Sequence, residues 1–300
     1  MNNLEKLCDG CITVFYTKRT QASTMKRLAE MGNRSSVFIS SLFGCESNLS
    51  SGIYWLPESE WRQKFSKRTY GYPSSDCLPA VDVDFPGPLA GITDLIDFKS
   101  LTAEQVSELS RILKLSGNNL LAEIEKQFET SKDLYTDLCI EFILPHEIAH
   151  NCWQRVHAQG RPIWVNEFAA QIAGVLTLRE FGMGEKAEFY SLFYRLMYSG
   201  GRDKVKYTDL RCEDEGRGGD LLNHAWLHGA DLQMLWELEQ MSDKTIGQKF
   251  LRLLGEELRK LKTKDEIIPD ATIMLIMNKA AGKNLQNWFA KWGIPSGKKE

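Results

Sequence analysis

Residues 144–150 read Leu-Pro-His-Glu-Ile-Ala-His, and the two histidines in this stretch decide how the rest of the chain is interpreted. Side chains four positions apart on a helix lie on the same face, so His146 and His150 can bind one metal ion. Glu147 then lies beside the open coordination position, where it can take a proton from a water molecule activated by zinc. The stretch predicts a helix with a zinc site and with Glu147 as general base. The same residues are compatible with a helix whose two histidines pack in the core or face solvent.

A third protein ligand is expected, because a catalytic zinc ion usually has three such ligands and a water molecule. Glu167 is the candidate, at the start of the next amphipathic helix and separated from His150 by sixteen residues. That length lets the chain turn and come back antiparallel, and Gly160 and Pro162 are typical turn residues. The alternative is that Glu167 is a favourable acid in the first turn of a helix that Asn166 caps.

The first hundred residues predict a small mixed sheet with an intervening helix. Short β-branched and aromatic runs alternate there with polar turns that contain glycine and proline. The predicted strands are residues 12–16, 37–39, 53–56 and 81–85, and the predicted helix is residues 21–30.

After residue 100 the apolar residues recur with a helical period. Thr102 and Gln105 form a capping box at the start of this region, and Asn284 is placed to cap a last helix. Two further predicted helices are residues 246–261 and 271–281.

This change of period predicts an α+β protein with two subdomains. Residues 1–135 are predicted to form an α+β N-terminal subdomain that contains the sheet. Residues 136–300 are predicted to form a helical subdomain that carries the zinc motif and the C-terminal helices.

The composition predicts a globular protein and excludes several classes of partner. The chain has 300 residues, of which 43% are hydrophobic and 26% charged, with a formal net charge of −3. Such a charge balance disfavours nucleic acid and anionic membrane surfaces. No apolar run approaches the roughly 20 residues of a membrane span, and the first residues, MNNLEKLCDGC, lack the apolar stretch of a signal peptide. The expected localisation is cytoplasmic.

The cysteines and the residues around the motif have simpler interpretations. Seven irregularly spaced cysteines favour reduced thiols, and the lone pair Cys8 and Cys11 has no partner pair for a four-thiolate site. Cys152 is predicted to be a packed thiol rather than a ligand, and His157 to lie near the site or at the surface. Pro145 requires either that the helix begins there, after an extended segment, or that it is kinked.

The string HEIAH (146–150) followed by WVNEFAA (164–170) resembles the gluzincins, thermolysin-like zinc metallopeptidases whose third ligand is a glutamate on the next helix. The second string is close to the aminopeptidase branch. The C-terminal GKNLQNWFAKWGIP (282–295) resembles the ending of enhancin-like and mucin-degrading gluzincins. The resemblance covers roughly residues 140–300 and implies a thermolysin-like fold, bound Zn²⁺ and hydrolysis of a peptide or protein substrate.

The resemblance also implies a donor that stabilises the oxyanion, a tyrosine or a histidine on a later helix. In the aminopeptidase branch a tyrosine precedes a glycine by three positions, and here Trp226 precedes Gly229. Because an indole is a poorer acid than a phenol, His228 or His224 is the candidate donor. The same pair could instead form a second metal site or face solvent.

These residues predict a zinc-dependent metallopeptidase. The alternative is a non-catalytic or regulatory protein on a gluzincin scaffold that binds a protein partner, favoured by the missing tyrosine. A cytosolic protease that cuts one transcriptional regulator and a helical interaction protein with an accidental motif rank lower. The sequence indicates neither the cleavage specificity nor the oligomeric state.

Overall fold

The computed structural model describes residues 4–10, 12–18, 20–45, 52–56, 77–78, 96–156, 163–201, 221–261 and 268–294. Its strands are β1 (Glu5–Asp9), β2 (Ile12–Tyr16), β3 (Gly52–Trp55) and β4 (Cys77–Leu78). Its α-helices are α1 (Ala22–Phe43), α2 (Ala103–Ile112), α3 (Leu120–Thr130), α4 (Lys132–Leu138), α5 (Leu144–Val156), α6 (Ile163–Glu180), α7 (Gly184–Gly201), α8 (Leu221–Met241), α9 (Ile246–Leu258), α10 (Asp270–Ala281) and α11 (Gln286–Lys291). A 3-10 turn (Phe98–Ser100) precedes α2, and a π-helical turn (Cys139–Ile143) joins α4 to α5.

The sheet is small and mixed, as predicted. Its order is β1-β2-β3-β4, with β1 antiparallel to β2 and the two other pairs parallel. Helix α1 connects the parallel strands β2 and β3, because parallel neighbours need a crossover. The strands predicted at residues 12–16 and 53–56 are confirmed within one residue, whereas residues 81–85 lie outside the described residues.

The strand predicted at residues 37–39 is wrong, and the predicted helix over residues 21–30 is too short. Both segments belong to α1, which ends where Gly44 adopts a left-handed conformation with φ of 64°. A strand would place Val37 and Ile39 on the same face. In the helix they diverge, so Val37 is 60% exposed while Ile39 is completely buried.

The helical half begins with the capping box that the sequence predicted, whereas the N-cap of its last helix is Leu285 and not Asn284. The Thr102 side chain accepts a hydrogen bond from the Gln105 backbone N–H, and the Gln105 side chain accepts one from the Thr102 N–H. At the other end, Asn284 Oδ1 accepts a hydrogen bond from the Gln286 N–H at 2.8 Å. The described chain is therefore mostly helical with a small mixed sheet, in agreement with the α+β class.

Pro145 neither follows an extended segment nor begins an isolated helix. The chain is helical from α4 through the π turn into α5, and Leu144 N–H donates to Cys139 C=O across the π turn. In a regular α-helix the proline ring would clash with the carbonyl four residues earlier, which belongs to Glu141. Because residues 139–143 form a π turn that continues into α5, the extended alternative for residues 140–144 is wrong.

The largest apolar core among the described residues joins the sheet to the helical half. It contains side chains from β2 through to the end of the described chain, among them Ile12, Phe142, Trp164 and Ile294. Helix α1 packs on α5, α5 packs on α6, and α6 packs on both α7 and α8. The predicted boundary at residue 135 lies inside α4, and the division into two subdomains stays a prediction. Among the residues that the structure describes, no helix is both long and apolar enough to span a membrane.

Candidate metal centre

Helices α5 and α6 bring two imidazoles and one carboxylate to the same point. Nε2 of His146 lies 3.0 Å from Nε2 of His150. Glu167 Oε2 lies 3.5 Å from the first of these nitrogens and 3.3 Å from the second. These three residues can hold a metal ion, because one ligand atom from each lies within 4.8 Å of the others. Both histidines are buried.

The spacing of these three atoms fits a tetrahedral metal ion. Two nitrogen or oxygen ligands bonded at about 2.0–2.1 Å and separated by the tetrahedral angle lie about 3.3 Å apart. The three observed separations, from 3.0 to 3.5 Å, lie on either side of that value. Such an ion would take three ligands from these side chains, and among the described residues no fourth ligand belongs to the group.

Asn166 holds His150 in the orientation that a metal ligand needs. Its Oδ1 lies 3.1 Å from His150 Nδ1. When Nδ1–H donates to this oxygen, the lone pair of Nε2 faces the cluster. Because α6 begins at Ile163, Asn166 lies inside the helix and is not its N-cap, so that part of the alternative reading of Glu167 is wrong. In the sequence, only the position of Asn166 next to Glu167 indicates that it contacts His150.

Glu147 is buried beside the cluster and its pKa is raised to about 8. Burial is the main cause, and the carboxylate of Glu167 adds to it, against the opposing effect of His150. Its Oε2 has no hydrogen-bond partner among the described residues. A buried carboxyl oxygen without a partner is costly unless it faces a bound molecule. Glu147 is thus placed to act on a group in the open position.

His150 and Glu167 each stabilise the charged form of the other. Burial lowers the pKa of His150, but the carboxylates of Glu167 and Glu147 outweigh this effect and raise it to about 9. Burial raises the pKa of Glu167, but His150 and His146 outweigh this effect and hold it well below its usual value. Glu167 is therefore an ionised carboxylate, as a metal ligand must be.

His228 on α8 lies at the edge of this cluster. Its ring is perpendicular to that of His146, with centroids 5.1 Å apart, and its Nδ1 is 3.9 Å from Glu167 Oε2. Its side chain is 12% exposed and does not face solvent. His228 does not belong to the three-residue group that can hold the ion. The side chains of His224 and Trp226 lie outside the described residues, so His224 stays a prediction.

Tyr194 on α7 is a nearby residue that no sequence motif indicated. Its ring centroid is 6.1 Å from that of His228 and 5.4 Å from that of Phe142. Burial raises the pKa of the Tyr194 hydroxyl, and so do Cys139 and Glu147. The hydroxyl therefore stays protonated and keeps its ability to donate.

Three other residues near the motif pack in the core. Cys152 is a packed thiol, as predicted, with its sulfur 3.5 Å from Ser40 Oγ on α1. Trp153 and Trp164 are fully buried in the core. His157 lies outside the described residues.

Comparison of the chain with protein-family models, with curated proteins and with solved structures found no match. The chemistry of the site is therefore inferred from its geometry. A divalent cation on two imidazoles and a carboxylate, with a second carboxyl group beside the open position, can activate a water molecule for hydrolysis.

Proposed function

We propose that this protein is a zinc-dependent metallopeptidase of the gluzincin type, with a thermolysin-like arrangement of its helices. The observation that carries the proposal is the tetrahedral spacing of His146, His150 and Glu167 beside the buried Glu147. Two histidines and a glutamate are a donor set that zinc accepts in catalytic sites. Their order along two successive helices, with an acid after the first histidine, supports the same proposal.

Zinc is held in this proposal by His146 Nε2, His150 Nε2 and the Glu167 carboxylate. When bound, zinc lowers the pKa of water and polarises the scissile carbonyl. Glu147 accepts the proton of the attacking water and passes it to the leaving amine. His228 donates a hydrogen bond to the carbonyl oxygen as negative charge develops there, and its burial strengthens that bond. Asn166 keeps His150 in the tautomer that binds the ion.

The position of the sheet supports a peptide substrate. Strand β4 contacts α5, the helix that carries both histidines. Within the described part of the sheet, β4 pairs on one side only. An extended peptide that adds to such a strand has its backbone fixed by main-chain hydrogen bonds next to the metal site.

The test combines zinc content with cleavage. Untagged protein purified without chelator is assayed for metals by elemental mass spectrometry and for hydrolysis with a broad peptide library. We expect about one zinc per chain. Glu147→Gln should retain zinc and lose cleavage by about a hundredfold or more, because it removes a general base. Glu185→Gln, an exposed acid on α7, is the control and should change neither.

The outcomes separate the candidate functions. Zinc without cleavage by the wild-type chain would support the alternative, a non-catalytic gluzincin scaffold that binds a protein partner. Full cleavage by Glu147→Gln would remove the proposed mechanism. A wild-type chain that binds no zinc when zinc is supplied would overturn both functions.

A further inference from the structure

A buried carboxylate lies in the π turn that immediately precedes the zinc helix. Glu141 is 7% exposed and accepts hydrogen bonds from side chains on two other helices. Lys186 Nζ on α7 lies 2.6 Å from each of its oxygens. Arg27 Nη2 on α1 donates to it at 3.0 Å, and the Tyr190 hydroxyl on α7 donates at 3.2 Å.

A second carboxylate extends this group. Asp137, four residues before Glu141, accepts hydrogen bonds from Arg27 at 2.6 Å and from Lys186 at 3.1 Å. Two acids on one helical segment thus share two cations, one from α1 and one from α7. A buried carboxylate without such partners would be strongly destabilising, so the contacts fix the π turn against both helices. We name Arg27, Asp137, Glu141, Lys186 and Tyr190 the π-turn clamp.

The backbone between Glu141 and His146 needs such a constraint. Pro145 has no N–H to donate, and the π turn replaces α-type hydrogen bonds with the wider bond from Leu144 to Cys139. Local helix geometry therefore determines the position of His146 less tightly than it would in a regular helix. The side-chain contacts of Glu141 supply the missing constraint from outside the helix.

We propose that Glu141 is a positioning residue for the metal centre, which sets the place of His146 relative to His150 and Glu167 through the π-turn clamp. The proposal rests on the proposed zinc site. When the clamp is weakened, the π turn shifts and the three ligand atoms depart from the tetrahedral spacing. Zinc affinity then falls although every ligand is still present.

The test measures zinc affinity rather than activity. Wild-type protein, Glu141→Gln and Glu239→Gln are titrated with zinc against a chromophoric chelator, and their cobalt-substituted forms are compared by visible absorption. Glu239 is the matched control, because its side chain is 6% exposed and pairs with Arg179 away from the three ligands. We expect Glu141→Gln to bind zinc about threefold to tenfold more weakly, less than the loss when a direct partner of a ligand is removed, and to alter the cobalt spectrum. Glu239→Gln should lose stability but keep the affinity and the spectrum of wild type.

A second variant decides the outcome if Glu141→Gln does not fold. Lys186→Gln removes the cation that contacts both oxygens of Glu141, at a side chain that is 39% exposed, and should weaken zinc binding in the same direction. If the wild-type chain binds one zinc and the clamp variants bind it with the same affinity, this proposal is overturned. The proposed function is then unaffected. An equal loss of affinity in Glu239→Gln would also overturn it, because the effect would then be general destabilisation. Absence of zinc from the wild-type chain would overturn the proposed site and this proposal with it.

Discussion

Single side chains set the protonation states of the candidate metal centre. His150 has Asn166 on one ring nitrogen and the cluster on the other, so the amide oxygen holds the proton on Nδ1 and Nε2 is the nitrogen that can lose its proton. Glu147 is buried and Glu167 is only 15% exposed, yet their pKa values move in opposite directions. Glu167 contacts two imidazoles, whereas burial dominates for Glu147. Neighbours, rather than residue type, therefore decide which of the two carboxyl groups is more readily ionised.

Asn166→Ala should weaken zinc binding by about tenfold, because His150 loses the acceptor that holds its Nδ1–H. Asn166→Asp is the matched control: it keeps an oxygen at the same position and should restore or exceed wild-type affinity. Competition with a chromophoric chelator measures both. Unchanged affinity in Asn166→Ala would show that another group orients His150.

The metal-free protein should lose stability as the pH rises from 6.5 to 9. The folded-state pKa values of Glu147, about 8, and of His150, about 9, both lie above their unfolded values of 4.5 and 6.5. In this range the folded state therefore binds protons that the unfolded state has released. Each group lowers the free energy of unfolding by up to about 1.4 kcal/mol per pH unit until its folded pKa is passed.

Denaturant unfolding at several pH values in the presence of chelator measures this slope. Glu147→Gln removes one of the two groups, so the slope between pH 6.5 and 8 should fall by about half. Glu185→Gln, at an exposed side chain, should keep the wild-type slope. A pH-independent free energy of unfolding in the wild-type chain would contradict the prediction.

At the scale of elements, close contacts between helices position the side chains of the candidate site. Helices α7 and α8 approach closely at Gly229, where an added Cβ atom would clash with the carbonyl oxygen of Tyr194 and lie 2.7 Å from the Cβ of Tyr198. Gly229 follows His228 directly. The absence of a side chain at this position therefore lets the backbone beside His228 pack against α7.

Gly229→Ala should destabilise the fold by about 1–3 kcal/mol, because the added methyl group must push α8 away from α7. Gly184→Ala is the control at the start of α7, where a Cβ atom meets nothing within 4 Å. This control should be neutral or stabilising by up to about 1 kcal/mol, since alanine reduces the entropy of the unfolded chain. Denaturant unfolding distinguishes the two variants, and equal stability of both would contradict the close contact.

At the scale of the whole molecule, one core connects the sheet with the helical half. Helix α1 belongs to the first predicted subdomain, yet it packs on α5, α6 and α9 of the second. The carbonyl oxygen of Phe43 would lie 2.4 Å from a Cβ atom at Gly255, which shows how closely α1 and α9 approach. Helix α5, which carries His146 and His150, is therefore covered by a helix from the N-terminal part of the chain.

The chain should unfold in one cooperative transition, and residues 136–300 alone should not fold, because they lack α1. Tryptophan fluorescence and far-ultraviolet circular dichroism during urea titration should report the same midpoint. Two separate midpoints, or a folded isolated fragment, would show instead that the chain divides into independent domains at residue 135.

Local patterns predicted a large part of this fold. The capping box at Thr102 was predictable because it depends on residues three positions apart, whereas the cap predicted at Asn284 is one residue too early. The helical conformation of residues 37–39 was not predictable, because β-branched residues suit a strand as well as a buried helix face. Only packing against the core distinguishes Val37 from Ile39. The π turn before Pro145 could not be predicted either, because the side chains that contact it come from helices far away in the sequence.

The sequence by itself determined that His146, Glu147 and His150 share one helix, and thus that two imidazoles lie one turn apart. That relation depends on helical rise and twist, which are the same in every α-helix. Only the tertiary structure decided that Glu167 meets these imidazoles, that His228 lies at their edge and that Asn166 orients His150. Those distances join different helices, and they are set by how side chains fill the space between the helices rather than by the local conformation of the backbone.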